Sequence, residues 1–495
     1  MSSNAVYIII AFAVYMSGMI YLGWRYSKKT STSSDFFLGG RQVGPWMTAL
    51  SAEASDMSGW LLMGLPGVAY LGGMASAFWT AVGLILGTYF NWLLVAKRLR
   101  KYSIHCNDSI TIPEYFTNRF KDDSHILSAV AVLIILVFFT VYTASGFVAV
   151  AKLFNSVFHL PYMVALVLGI AVILAYTLLG GYLAVCATDF VQGTLMFLAL
   201  VITSIVMIVS LGGPTDAFAK ISQLGDNYLN PFAKSSEIGA KTIISSLAWG
   251  LGYFGMPHIL VRFMGIRSNK EVKVSRRIAM VWVVIAFAAA LLVGALGRIY
   301  LLPMILKGSA SETVLIHSLL KIFPAFIAGI FLCGIMAAAM STADSQLLVA
   351  SSAFSRDIFK NFIKKDASEK LLLLVSRLCV AGVAIIAFFF ALDPDSSVFS
   401  LVSYAWAGFG ATFGPIILLS LFWRGITRNG ALGGLIGGVI TVVVWKTLSG
   451  GIFDIYEILP GFIVCLIVSV IISLFSKDKT GSVAKIYDEY LQLED

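Results

Sequence analysis

Apolar runs of about the length that crosses a bilayer recur along this chain, and they limit its fold more than any other feature. The stretch from Leu127 to Ala151 carries no charged residue at all. In lipid each spanning helix needs roughly 20 apolar residues. Reading for such stretches, bounded by charges or turn residues, gives spans near 5–24, 45–71, 75–96, 127–151, 161–181, 189–211, 242–265, 278–303, 324–350, 370–392, 399–423, 430–449 and 455–476. Composition agrees, since 59% of the 495 residues are hydrophobic and 12% charged, too few charges to clothe a water-soluble domain of this size. Strands of a membrane barrel alternate apolar and polar residues, whereas "AVLIILVFF" from Ala131 to Phe139 does not. The class is an all-α polytopic membrane protein with about thirteen transmembrane helices.

Basic residues in short loops stay on the cytoplasmic side, so their placement orients the spans. With the N-terminus outside, 27 of the 35 lysines and arginines fall in inner segments, and the other 8 are Lys152, Lys220, Lys234, Lys241, Arg298, Lys307, Lys321 and Lys446. This pattern was not used to draw the spans and so supports their number. It also accounts for the net charge of +9 without a nucleic-acid partner. The first span reads as a retained helix, because only four residues precede it and its basic residues follow it. The tail from Lys477 reads as a cytoplasmic extension or a frayed end. Cys106, Cys186, Cys333, Cys379 and Cys465 are scattered and read as packing residues, and no phosphate-binding GxxxxGK[ST] loop is present to drive an ATP pump. An ion gradient is then the expected energy source.

A transporter exposes backbone groups at mid-membrane by interrupting helices where they line a cavity. Span 2 contains Ser51-Ala-Glu-Ala-Ser-Asp-Met-Ser-Gly-Trp60, followed by Gly64 and Pro66-Gly67, and span 7 contains Trp249-Gly-Leu-Gly-Tyr-Phe-Gly-Met-Pro-His258. They lie five spans apart, as matching members of two five-helix repeats would, and an odd number of spans per repeat inverts the second copy. One transmembrane domain over 1–495 is expected: span 1 peripheral, repeats at 45–211 and 242–423, two added spans at 430–476 and a cytoplasmic tail at 477–495. The glycines of "GGLIGG" (Gly433 to Gly438) read as helix packing instead. Ionisable residues within spans are costly and are functional candidates by default. Asp56 falls in the broken part of span 2 with Glu53 one turn before it, Asp189 at the start of span 6 and Asp344 near the inner end of span 9; the last two also read as interfacial carboxylates or caps. Ser341-Thr342 could supply the oxygen ligands that sodium favours, or merely bond back to their own helix.

In these residues the sequence resembles the sodium/solute symporter family, and within it the proline-carrying branch. The likeness rests on "DFFLGGRQVGPWMTALSAEASDMSGWLLMGLPG" (Asp35 to Gly67), "LGGYLAV" (Leu179 to Val185), "WGLGYFGMPHILVRF" (Trp249 to Phe263), "AAAMSTADSQLLV" (Ala337 to Val349), "LVSYAWAGFGATFGP" (Leu401 to Pro415) and "RNGALGGLIGG" (Arg428 to Gly438). It implies a leucine-transporter-type fold with a 5+5 inverted-repeat core in the cell membrane, importing L-proline with co-transported sodium by alternating access. It also implies sodium ligands at Ala54, Met57, Ala338, Ser341 and Thr342, with Asp56 and Asp189 in sodium coupling or its pathway. A substrate pocket is implied at Ser58, Gly59, Trp60, Tyr142, Trp249, Tyr253 and Pro257, and a coupling role at Arg41. Glu53 and Ser345 depart from the branch's pattern. Two other readings are a symporter of the same family for another small solute, and a membrane-embedded enzyme or channel using Asp56 and Asp189.

Overall fold

The computed structural model describes residues 3–27, 33–177, 181–233, 239–476 and 481–492. Lys28, Lys29, Lys234, Lys477 and Lys479 of the charge pattern, and Leu179-Gly180 of the quoted motifs, lie outside the described residues. Among the described residues every regular element is a helix, and one isolated bridge joins Val43 to Ile266.

Ten helices are long and apolar enough to cross a membrane, and an eleventh span is formed by Ala240–Phe254 and Pro257–Gly265, bent by 44°. The expected thirteen emerge once two further facts are applied. Pro45–His105 is 61 residues long, about 90 Å of helix against a hydrocarbon core of about 30 Å. It turns at Gly73, where φ is 69° and ψ −160°, dividing spans 2 and 3. A Cβ on Gly73 would sit 2.4 Å from the Tyr228 Cα, so both conformation and contact require glycine there. Tyr162–Thr177, 16 residues, is span 5.

The other spans are Ser3–Ser27 (span 1), Ile126–Phe158 (4), Tyr182–Ser210 (6), Asn269–Tyr300 (8), Ala325–Ser352 (9), Glu369–Phe390 (10), Val398–Phe422 (11), Arg428–Thr447 (12) and Ile458–Phe475 (13). Spans 12 and 13 pack through the glycines expected to serve packing: a Cβ on Gly434 would meet the Ser469 hydroxyl at 1.9 Å, and one on Gly438 the Cys465 Cβ at 3.1 Å. Span 3 and the N-terminal part of span 7 touch backbone to backbone, because a Cβ on Gly87 would lie 2.3 Å from the Gly250 carbonyl oxygen. Gly87→Val is therefore expected to cost about 1–3 kcal/mol through overpacking. A lower midpoint of thermal unfolding in detergent checks it, and an unchanged midpoint contradicts it.

Three expectations need correction. Span 6 begins at Tyr182, so Asp189 lies two turns inside the helix, with no exposed surface, and is neither interfacial nor a cap. Asp344 is also buried, since the helix of span 9 continues as a π-helical stretch from Ala353 to Ile363, and the Thr177 hydroxyl donates to its carboxylate. The tail is not frayed throughout: Ser482–Gln492 forms a helix docked against the chain near Tyr102, Arg119 and Arg424. Tyr490 stacks on Tyr102 at 3.6 Å, Arg424 grips Asp488 through two bonds of 2.8 Å, and the buried Arg119 donates to the Val483 carbonyl.

Candidate functional site

Both expected interruptions are present, and each has a local cause. In span 2 the helix Pro45–Gly59 is broken at Ser58, with φ 49° and ψ −169°, and resumes through a π-helical turn at Trp60–Gly64. The Ser58 hydroxyl accepts the Trp60 amide at 3.1 Å, sharing it with the Met57 carbonyl across the break. In span 7 the α-helix Ala240–Ala248 tightens into a 3-10 segment, Trp249–Phe254, before Pro257 starts the C-terminal half. Gly252 and Gly255 let that segment approach span 11, since a Cβ on Gly255 would lie 2.3 Å from the Phe409 carbonyl oxygen.

Span 9 crosses the break of span 2. The Ser341 hydroxyl donates to the Ala54 carbonyl at 2.8 Å and lies 3.2 Å from the Ala338 carbonyl. Thr342 follows Ser341, and its buried hydroxyl has no partner among the described residues. Met57 is three residues beyond Ala54, and its carbonyl accepts the Trp60 amide. Ala54, Ala338 and Ser341 are thus in direct hydrogen-bond contact, with Met57 and Thr342 beside them.

Beside the break lies a cavity of about 10 Å³, space for about one water. Of the expected substrate residues, Trp60, Tyr142, Trp249 and Tyr253 line it, whereas Ser58, Gly59 and Pro257 do not; Asp56 and Met57 line it too. Gly59 packs under Ala149, and Pro257 serves as the start of a helix. The sequence reading missed Leu84, Val402 and Trp406, which complete the wall. Trp406 was present in a quoted motif, and its indole donates to the Trp249 carbonyl freed by the 3-10 segment at 2.7 Å.

Among the described residues no basic residue pairs with Asp56. Its Oδ2 accepts the Tyr253 hydroxyl at 2.6 Å, and its backbone carbonyl accepts the Tyr142 hydroxyl at 2.9 Å. Its Oδ1 and the Trp60 indole N–H are buried without partners among the described residues. Such atoms in a packed interior mark a place built for a further group. Glu53 is buried as well, with one oxygen accepting the Trp92 indole at 3.3 Å.

Stacked rings and one ion pair adjoin this wall. Trp60 lies 5.2 Å from Trp249 and 5.7 Å from Phe399, centroid to centroid. Phe399 is fixed because Glu312 caps the start of span 11, accepting the Val398 and Phe399 amides at 3.0 Å and the Ser397 hydroxyl at 2.7 Å. Lys152 on span 4 neutralises Glu312 at 2.7 Å, and both are buried. Neither was recognised from sequence, since the pair joins residues 160 positions apart.

On the other side, Asp189 accepts the Ser51 hydroxyl at 2.6 Å and pairs with Arg262 at 3.2 Å. Arg41 stands apart from the cavity. It donates to Asp108, to Ser103, and to the Ser109 and Met264 carbonyls, at 2.6–3.0 Å, tying the C-terminal end of span 7 to the segment after span 3.

Residues 36–438 match the family described as the sodium:solute symporter family. The chain is 46% identical over 485 residues to the sodium/proline symporter of Escherichia coli (strain K12), covering 97% of this chain and 95% of that one. It is 45% identical over 471 residues to the osmoregulated proline transporter OpuE of Bacillus subtilis (strain 168), covering 95% of both. Among solved structures, a Na+-coupled sialic acid symporter in a substrate-bound outward-open state superposes with a TM-score of 0.79 at 21% identity, covering 95% of this chain and 98% of that one. The fold is accordingly the leucine-transporter type, in a multi-pass membrane protein that is a transporter and not an enzyme. The chain belongs to the sodium:solute symporter family.

Proposed function

We propose that this chain imports L-proline, with sodium as co-substrate, by alternating access. The observation that carries the proposal is the contact of the Ser341 hydroxyl with the Ala54 carbonyl at the break of span 2, beside an aromatic cavity holding one unpartnered acceptor and one unpartnered donor. Sodium takes neutral oxygens at Ala54, Met57, Ala338, Ser341 and Thr342, a set weak enough to release it again. It is carried with the solute and is not a resident cofactor. Proline is a zwitterion with an apolar ring. Its ammonium suits the free Asp56 Oδ1, its carboxylate suits the Trp60 N–H, and its ring suits the faces of Trp249, Tyr142, Tyr253 and Trp406. The relatives named above are proline carriers, and this geometry gives their substrate a physical reason.

A cavity with room for about one water cannot hold that solute, so the walls must part. The Lys152–Glu312 cap and its stacked rings close one side, and the Asp189–Arg262 pair closes the other. Spans 2–6 and 7–11 form the two repeats, and each contributes one broken helix. The N-terminus faces outside and the docked C-terminal helix the cytoplasm, with Arg41 linking inner elements that rearrange during coupling. Asp189 lies on sodium's inward route, and Ser58 and Gly59 act through the shape of the break.

Uptake of labelled L-proline by cells expressing the chain, challenged with excess unlabelled proline, pantothenate, a hexose or other amino acids, tests the substrate. Proline alone is expected to abolish uptake, and competition by a different solute with no effect of proline would replace the assignment.

A further inference from the structure

Arg262, on the inner half of span 7, has no exposed surface, and its guanidinium meets oxygen in several directions. One terminal nitrogen lies 3.2 Å from the Asp189 carboxylate and donates to the Ser345 hydroxyl at 2.5 Å. Nε donates to the Ser51 hydroxyl at 3.2 Å, and the other terminal nitrogen to the His258 carbonyl at 3.0 Å. The face of Tyr182 covers the group at 5.4 Å. The second oxygen of Asp189 is buried and has no partner among the described residues.

One carboxylate, two hydroxyls and a carbonyl are the donors a hard metal cation selects. Here they surround a guanidinium. The position of this cluster is informative. Ser51 precedes Ala54 by three residues on span 2, and Ser345 follows Ser341 by four on span 9. Both helices therefore carry oxygen donors at two levels, one turn or about 5 Å apart. The outer level is the proposed sodium position, with neutral ligands only. The inner level holds the carboxylate, and with it Arg262.

We propose that Arg262 is a resident cation that fills a second ion position beneath the transported sodium and so fixes coupling at one sodium per solute. A guanidinium tethered to span 7 occupies the oxygen cluster without ever leaving with the cargo. It also neutralises Asp189, which would otherwise attract sodium across low-dielectric surroundings and oppose its inward release. Without Arg262, the carboxylate, Ser51 and Ser345 are open to a mobile sodium, and a second ion would then travel with each solute.

This inference rests on the sodium coupling proposed above, and the test separates the two. Reconstituted vesicles with the membrane potential clamped at zero are given a tenfold sodium gradient, and proline accumulation is measured at steady state. One sodium per solute limits accumulation to about tenfold and two to about a hundredfold. Native protein and Arg262→Lys are expected to reach about tenfold, Arg262→Ala to rise toward a hundredfold, and Arg262→Ala combined with Asp189→Asn to fall back to about tenfold. A merely structural role for Arg262 would lower rates without moving this limit.

Equilibrium binding of radiolabelled sodium to the purified protein gives the same count without turnover: one ion for native protein and Arg262→Lys, two for Arg262→Ala. Arg262→Ala binding one ion, or accumulating no more than native protein, overturns the inference, as does a count of two in Arg262→Lys. Native protein that accumulates proline equally without sodium would instead overturn the coupling itself.

Discussion

Asp56→Asn is expected to lower sodium-driven proline uptake about 100-fold. The carboxylate is buried, accepts the Tyr253 hydroxyl at 2.6 Å and keeps one oxygen unpartnered at the cavity wall. Hydrogen bonds to a charged group contribute about 1.5–3 kcal/mol, and the substitution removes the charge that the solute's ammonium meets while turning an acceptor into a donor. The loss should appear mainly as a raised half-saturating proline concentration. Asp56→Glu retains the charge and is expected to recover part of the uptake. Tyr253→Phe removes only the supporting bond and should cost about tenfold. Uptake by Asp56→Asn within twofold of native, at matched protein in the membrane, would remove Asp56 from the site.

The Ser341→Ala/Thr342→Ala pair is the second large effect. Two hydroxyl ligands at about 1–1.5 kcal/mol each should raise the sodium concentration for half-maximal uptake about 30- to 100-fold. The lost Ser341 hydroxyl also leaves the Ala54 carbonyl without its 2.8 Å donor, so the break of span 2 loosens too. Thr412→Ala supplies the contrast. Its hydroxyl bonds back to the Gly408 carbonyl of its own helix at 2.6 Å, and the sodium response should be unchanged. Sodium titration of initial uptake rates reads both, and a double variant with the native sodium curve contradicts the assigned ion position.

What could be read from the chain, and what could not, divides along a physical line. Features written along one segment were legible. Apolar runs gave the spans, the glycine and proline clusters in spans 2 and 7 gave both breaks, and Ser341-Thr342 beside small residues gave the hydroxyl that meets Ala54 and its neighbour. Features made by two distant segments were not. Arg262 was counted among inner loop charges because a basic residue after an apolar run usually ends a span. Only the fold brings it to Asp189, 73 positions away, where the pair can be buried. Span 6 was drawn from 189, later than its start at Tyr182, and that late boundary put Asp189 at a helix start. Lys152 lay at the edge of an apolar run and Glu312 in the connection between spans 8 and 9, and nothing local announced that they would meet at the start of span 11. Trp406 looked like any aromatic in a membrane helix until the 3-10 segment of span 7 offered it a carbonyl. The C-terminal helix is short and charged, and its docking depends on Tyr102, Arg119 and Arg424, each far from it in sequence.

Labelled proline flux into reconstituted vesicles, driven in turn by an inward sodium gradient, an inward proton gradient and no gradient, tests the central claim most directly. Accumulation above the external concentration under the sodium gradient alone, collapsing when a sodium ionophore is added, is the result expected. Equal accumulation under the proton gradient, or uptake that never exceeds equilibration under any gradient, would contradict it.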